Sequence, residues 1–294
     1  MGDFLRVFDM LAWFPENIST FGKELDDLFA IIYYVSVGIF FLTFGLMAYF
    51  LVKYRYRPER RGYNYHGNNI VEVTWTILPT ILFAAIGLYS DDIWERTKYS
   101  KRVPKPDVEI LVLGKAYGWY FLYPGADGKF GRNAFTDERF EQDSGSGYRQ
   151  RLGRARMSAL NPFGIDSTDP ASLDDFMTEN QFRVPVNANV VMRGSSIDVL
   201  HSFFLPHMRV KQDVVPGTWM NIWYNAFKTG KYELACAELC GGGHYAMRAE
   251  YEVLSKSSYD KWLDQKDTEV KAARAPQAPA VPPTDTTQAV ASLR

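Results

Sequence analysis

Cysteine is nearly missing from this 294-residue chain: only Cys236 and Cys240 are present. Two are too few to staple a disulfide scaffold. No C-x-x-C-H occurs, so no haem c is attached to the chain. Histidine is almost as scarce, limited to His66, His201, His207 and His244. Net charge is absent as well: 33 basic residues against 34 acidic ones leave −1. That balance gives no reason to expect nucleic acid as a partner. No internal repeat is visible, and the second half shows no long amphipathic helical pattern.

Charge is also missing locally. The run "LFAIIYYVSVGIFFLTFGLMAYFLV", Leu28 to Val52, carries none, and about 20 apolar residues suffice to cross a bilayer as a helix. A second run, "VTWTILPTILFAAIGLY" from Val73 to Tyr89, sits at the short end of the spanning range. Its Pro79 is tolerable in a membrane helix packed against neighbours; a buried hairpin helix is the alternative. The first run is followed by Lys53 and Arg55 rather than a small-residue cleavage site, and it lacks a basic leader, so it does not read as a signal peptide. The connecting "KYRYRPERRGYNYHGNN" is basic, whereas Asp3, Asp9, Glu16, Glu24, Asp26 and Asp27 dominate the segment before the first run, against only Arg6 and Lys23. Basic loops stay in the cytoplasm, which places both termini outside.

Beyond about Val108 the pattern changes to short β-favouring runs bounded by Gly, Pro, Asn or Asp. They are "VEILVLG", "YGWYFLYPG", "FRVPVNANVVMRG", "SIDVLHSFFL", "MRVKQDVVPG", "WMNIWYNA", "KYELAC" and "MRAEYEVLS". Such punctuation predicts a β-sandwich or barrel. The expected division is an outer segment 1–26, a helical hairpin 27–95 and a β-domain 104–260. A polar insertion at about 137–175 reads as a solvated surface excursion between two strands. The Ala-, Pro- and Thr-rich stretch 271–294 reads as disordered. His207, beyond Pro206, is expected to be exposed, and His66 falls on the cytoplasmic side.

Both cysteines lie in "CAELCGGGHYAM", Cys236 to Met247. A disulfide between them would close a very small ring and restrict the unfolded chain little; it would leave His244 and Met247 without a role. Thiolate, imidazole and thioether together form a soft donor set suited to copper. Gly241 to Gly243 let the backbone turn tightly between the donors. A second histidine would have to come from another strand. His201, after the apolar "VL", is the candidate, against the alternative of a histidine simply buried in a core. Mononuclear blue copper needs one cysteine, so the second cysteine discriminates between copper types.

Two spans, then "HSFFLP" and "VKQDVVPG", then "CAELCGGGHYAM", resemble subunit II of the bacterial haem-copper cytochrome c oxidases over roughly residues 25 to 260, the insertion excepted. The resemblance implies an α+β membrane protein: a two-helix transmembrane hairpin followed by a cupredoxin-like Greek-key β-sandwich with a dinuclear copper centre (CuA). It implies that Cys236 and Cys240 bridge both coppers, that one copper takes His201 and Met247, and that the other takes His244 and the carbonyl of Glu238. The Glu238 carboxylate would reach a magnesium ion at the contact with subunit I. The implied partners are haem-bearing subunit I, subunit III, a cytochrome c-type donor that is soluble or part of a larger assembly, and the lipid bilayer. The implied location is the bacterial inner membrane, with the copper domain periplasmic.

Departures and rivals bound this reading. Aligned by its flanking glycine and proline, "GKAYGWYFLYPG" puts Tyr117 where relatives carry the tryptophan that receives the electron, Gly118 replaces an aromatic, and Trp119 matches the next tryptophan. Tyr117 and Trp119 are therefore the candidates for electron arrival, with core packing as the alternative for both. Glu72, in "VEVTWTILP", matches a carboxylate that relatives use at the mouth of a proton channel; a plain interfacial carboxylate is the alternative. The rival functions are a membrane-tethered copper carrier or chaperone, a quinol-oxidase subunit (a branch without the cysteine pair), and a disulfide-bearing structural domain.

Overall fold

The computed structural model describes residues 13–62, 64–98, 103–134 and 157–274. Two long helices come first, α1 (Gly22–Lys53) and α2 (Asn69–Lys98). Their 32 and 30 residues correspond to about 48 and 45 Å at ~1.5 Å per residue. Both are long and apolar enough to cross a membrane, and α1 leaves Phe41, Leu42, Leu51 and Val52 exposed to whatever surrounds it. Asn68 caps α2, its Oδ1 accepting the N–H groups of Ile70 and Val71 at 3.0 and 3.3 Å. The helix continues unbroken through Pro79.

The outer end of the hairpin is tied to the rest of the chain. Arg96 of α2 pairs with Glu24 of α1 at 2.5 Å. Arg209 donates to Asp26 Oδ1 at 2.6 Å and to the Pro15 carbonyl at 2.8 Å. The segment before α1 is a strap on the β-domain: Ile18 is fully buried, its N–H donates to the His207 carbonyl at 2.9 Å and its carbonyl accepts from Phe227 N–H at 3.0 Å. His207 is accordingly half-buried, not exposed as expected; its ring packs on Tyr232 with centroids 4.9 Å apart.

Among the described residues, ten strands form the second part: β1 (Val108–Lys115), β2 (Gly118–Tyr123), β3 (Phe176–Glu179), β4 (Gln181–Pro185), β5 (Asn189–Ser196), β6 (His201–Leu205), β7 (Val210–Val214), β8 (Met220–Asn225), β9 (Gly230–Cys236) and β10 (Arg248–Leu254). They build two five-stranded sheets, β3-β2-β1-β5-β8 and β4-β10-β9-β6-β7. Among the strand pairings of the described residues, β1–β5 and β4–β10 are parallel and the others antiparallel. The run "FRVPVNANVVMRG" divides at Asn187, where φ is 59°, and sends its halves to opposite sheets. The result is the two-sheet, cupredoxin-like sandwich expected. Between the sheets lie Ile110, Val112, Trp119, Phe121, Phe182, Phe203 and Tyr251, all with at most traces of exposure. Phe121 stacks on Phe182 at 4.7 Å and Phe182 on Tyr251 at 5.1 Å.

Strand β1 is apolar on both faces for a physical reason. Ile110 and Val112 enter the main core, while Leu111 and Leu113 face outward into a second cluster with Leu122, Ala134 and Phe163. Phe163 belongs to the insertion, and this corrects the expectation of a solvated excursion. The described part of that segment is a cover on the first sheet, pinned by Ala134 N–H to the Phe163 carbonyl at 2.9 Å and by Gly131 N–H to Asp175 at 3.0 Å. It does run between two strands, β2 and β3; residues 135–156 lie outside the described residues.

The other end of the domain also differs. A helix, α3 (Lys256–Arg274), follows β10 directly, so ordered structure runs past the expected boundary at 260 and through the start of the stretch read as disordered. Tyr259 and Trp262 are buried. Trp262 meets Tyr123 and Phe176 edge-on at 5.1 and 5.4 Å, under the Arg183 guanidinium at 5.5 Å. The remainder of that stretch, like residues 1–12, lies outside the described residues.

Candidate metal centre

The connection from β9 to β10 is the segment Cys236 to Met247. Its base is closed by Cys236 N–H donating to the Met247 carbonyl at 3.0 Å, and Ala237 N–H ties it to β6 through the Ser202 carbonyl at 3.0 Å. Within it, Gly241 has φ +127°, a conformation that side chains resist. The turn passes into a short 3-10 segment, His244–Ala246. Each donor is thus fixed by backbone: Cys236 ends a strand, His244 opens the 3-10 turn, and Met247 immediately precedes β10.

The donor atoms converge. Cys236 Sγ and Cys240 Sγ lie 3.9 Å apart, and both cysteines are free and buried. The Glu238 carbonyl is 3.2 Å from Cys236 Sγ, His244 Nδ1 is 3.6 Å from Cys240 Sγ, and Met247 Sδ is 3.8 Å from Cys240 Sγ. From the neighbouring strand of the same sheet comes His201, the first residue of β6, with Nδ1 at 4.0 Å from Cys236 Sγ. His201, Cys236 and Cys240 place their ligand atoms within 4.8 Å of one another. Buried thiols flanked by imidazole, thioether and an inward carbonyl fit soft metal ions, copper above all.

The electrostatics of the site are set by burial and by the close approach of the two sulfurs. Burial, then the neighbouring Cys236, push the Cys240 thiol up to about 11. A bound cation would reverse that penalty by holding the sulfur as thiolate. Asp198 stands behind His201, its Oδ1 at 2.9 Å from Nε2. Burial would raise the Asp198 pKa, but the N–H groups of Ala116 and Val199 and the His201 ring together hold it below the ordinary carboxylate range. Sequence reasoning missed Asp198. The only trace is an aspartate three residues before the histidine in "DVLH", in a bend whose fold-back the residue pattern does not reveal.

The two aromatic candidates separate. Trp119 is fully buried, set against His201 and Phe203 with ring centroids 6.2 and 5.5 Å away, so it lies behind the centre rather than on the surface. Tyr117 is 46% exposed, and its ring rests on the backbone of Gly241 and Gly243. Leu239 and Tyr245 of the same segment are also exposed. The Glu238 side chain is half-buried, and Glu72 is exposed in the first turn of α2, at the far end of the hairpin.

Comparison with known proteins follows the same two-part division. Residues 9–93 match the family described as cytochrome C oxidase subunit II, transmembrane domain, and residues 164–253 match its periplasmic domain. The alternative cytochrome c oxidase subunit 2 of Bradyrhizobium diazoefficiens is 29% identical over 264 residues, covering 90% of this chain and 87% of that one. Cytochrome c oxidase subunit 2 of Cereibacter sphaeroides is 28% identical over 241 residues, covering 81% and 74%. Among solved structures, the periplasmic domain of subunit II of cytochrome oxidase from Bradyrhizobium japonicum is 26% identical, with a TM-score of 0.38 over 57% of this chain and 99% of that one.

Proposed function

This chain belongs to the cytochrome c oxidase subunit II family, a membrane component of haem-copper oxidases, and from that premise we propose that it is the subunit through which electrons reach the complex. The β-domain faces the periplasm of a bacterial inner membrane, and the hairpin sits in the bilayer against subunit I. Subunit III completes the neighbourhood, and a cytochrome c-type protein is the donor. The observation that carries this reading is the meeting of two cysteine sulfurs with two imidazole Nδ1 atoms, a thioether and a backbone carbonyl, none more than 4.0 Å from a cysteine sulfur.

Cys236, Cys240, His201, His244, Met247 and the Glu238 carbonyl would together hold the two copper ions. When bound, such a pair supplies one-electron transfer with little change of geometry, relaying electrons toward haem for the reduction of oxygen to water and the movement of protons. The chain's own contribution is rigidity. Four of the five side-chain donors, with the Glu238 carbonyl, belong to one segment closed by a backbone hydrogen bond, and the fifth side chain opens a neighbouring strand. A donor set held this way reorganises little when its charge changes. Tyr117 offers the exposed ring at which a donor would dock, and Trp119 fills the space behind His201. The Glu238 carboxylate would hold magnesium at the subunit I contact, and Glu72 would take up protons at the cytoplasmic side.

Metal analysis and paramagnetic resonance of the purified complex test the copper reading. The expected result is two coppers per chain sharing one unpaired electron. A single labile copper would instead identify a tethered copper carrier, and a Cys236–Cys240 disulfide in the metal-loaded complex would leave no relay. For Glu72, the expected effect of Glu72→Ala is slower proton uptake; unchanged turnover and uptake would remove that role.

A further inference from the structure

The carboxylate of Asp198 serves two parts of the site at once. Its Oδ1 lies 2.9 Å from His201 Nε2 and accepts the Val199 N–H at 2.8 Å, while Oδ2 accepts the Ala116 N–H at 2.8 Å. Ala116 immediately precedes Tyr117, whose ring covers Gly241 and Gly243 of the ligand segment. One side chain in the β5–β6 connection therefore joins a candidate ligand to the β1–β2 turn that carries the exposed aromatic ring.

Each link has a distinct physical consequence. His201 is fully buried, so an unpaired Nε2 would carry the full desolvation penalty. An ionised carboxylate can only accept, so a neutral ring carries its proton on Nε2 and its lone pair on Nδ1, the nitrogen that faces Cys236. A carboxylate behind a ligating imidazole also raises that ligand's basicity. On the other side, the bond to Ala116 fixes the turn before Tyr117 and so holds the ring over the ligand segment.

We propose that Asp198 is a positioning residue that sets the tautomer and orientation of His201 and, through Ala116, locks the Tyr117 turn to the same centre. This rests on the copper reading above. Asparagine is the informative replacement. It occupies the same volume but has one oxygen, so it cannot accept from both His201 and Ala116, and it carries no charge.

The test uses the full chain in its complex and as metal-free protein in detergent. In metal-free wild type, nitrogen NMR of the neutral His201 ring is expected to show the proton on Nε2; a neutral ring protonated on Nδ1 overturns the proposal without any variant. In the loaded complex, Asp198→Asn is expected to leave the domain folded and the complex assembled, with a lowered thermal midpoint, while weakening copper retention about 10- to 100-fold. It should also raise the reduction potential and slow reduction by the donor. An Asn variant with wild-type affinity, potential and resonance signature overturns the proposal. A wild-type complex without two coppers would instead defeat the copper reading, and the His201 tautomer in metal-free protein would then stand as a separate result.

Discussion

Tyr117 stands over Gly241: a β-carbon added to that glycine would meet the tyrosine Oη at 2.6 Å, on a backbone whose φ is +127°. The ring and the ligand segment are thus fitted to each other, and the glycine satisfies both space and conformation. Gly241→Ala should strain the turn by about 1–3 kcal/mol and push the ring aside. Tyr117→Ala should leave copper content and resonance signature unchanged while slowing reduction by the donor. Stopped-flow reduction of the purified complex checks this; a wild-type rate in Tyr117→Ala would show that electrons arrive elsewhere.

Much of this arrangement is legible in the residues, and the illegible parts share a cause. Uncharged Leu28 to Val52 announces a span, and Cys236 to Met247 announces soft donors, because both signals are local in the chain. The cover formed by Phe163 is not legible, since an isolated phenylalanine in a polar stretch finds its partners only when Leu111, Leu113 and Leu122 present the outer face of a sheet. Helix α3 hides for a similar reason. Its anchors Tyr259, Trp262 and Leu263 are sparse among charges and precede a Pro- and Ala-rich run, so helical periodicity is faint and burial against Tyr123 and Phe176 decides the outcome. Asp198 meets Ala116 across 82 residues, a contact no local pattern encodes.

His207 predicts a pH dependence of stability. Burial, then repulsion by Arg209, lower its pKa from 6.5, against the opposing pull of Glu16 and Glu233. The unfolded chain therefore binds more protons in the window just below 6.5, and stability present above that pH is lost as pH falls through it. Thermal midpoints of the full chain in detergent should drop on acidification through this window. His207→Gln should flatten that part of the curve; an unaltered slope would assign the dependence to another group.

Copper uptake should depend on pH in the same direction as at a carboxylate site but over a higher pH range, because the proton displaced is a thiol's. With the Cys240 thiol pushed up to about 11 in the metal-free protein, binding must displace a proton that is firmly held at neutral pH. Apparent copper affinity should therefore strengthen as pH rises from about 6 to 8, and uptake should release protons measurable with an indicator dye. Alkylation of Cys240 in the metal-free chain should be slow at neutral pH and accelerate toward alkaline pH. Rapid modification near neutrality would contradict the burial-driven shift.

Trp262 offers a test of fold that is separate from the chemistry. It is 7% exposed and lies edge-on to Tyr123 and Phe176 beneath Arg183, so it fastens α3 to the strands β2, β3 and β4. Truncation removes a large apolar side chain and leaves a cavity, at a cost of about 3–5 kcal/mol. None of these three partners is a candidate ligand, so Trp262→Ala should lower the denaturation midpoint of the full chain while copper content and resonance signature remain those of wild type. Hydrogen exchange should accelerate along α3 first. If the loss of Trp262 abolished the copper signal at temperatures where the domain stays folded, the helix would have to be counted as part of the metal centre's support rather than as a brace at the other end of the strands.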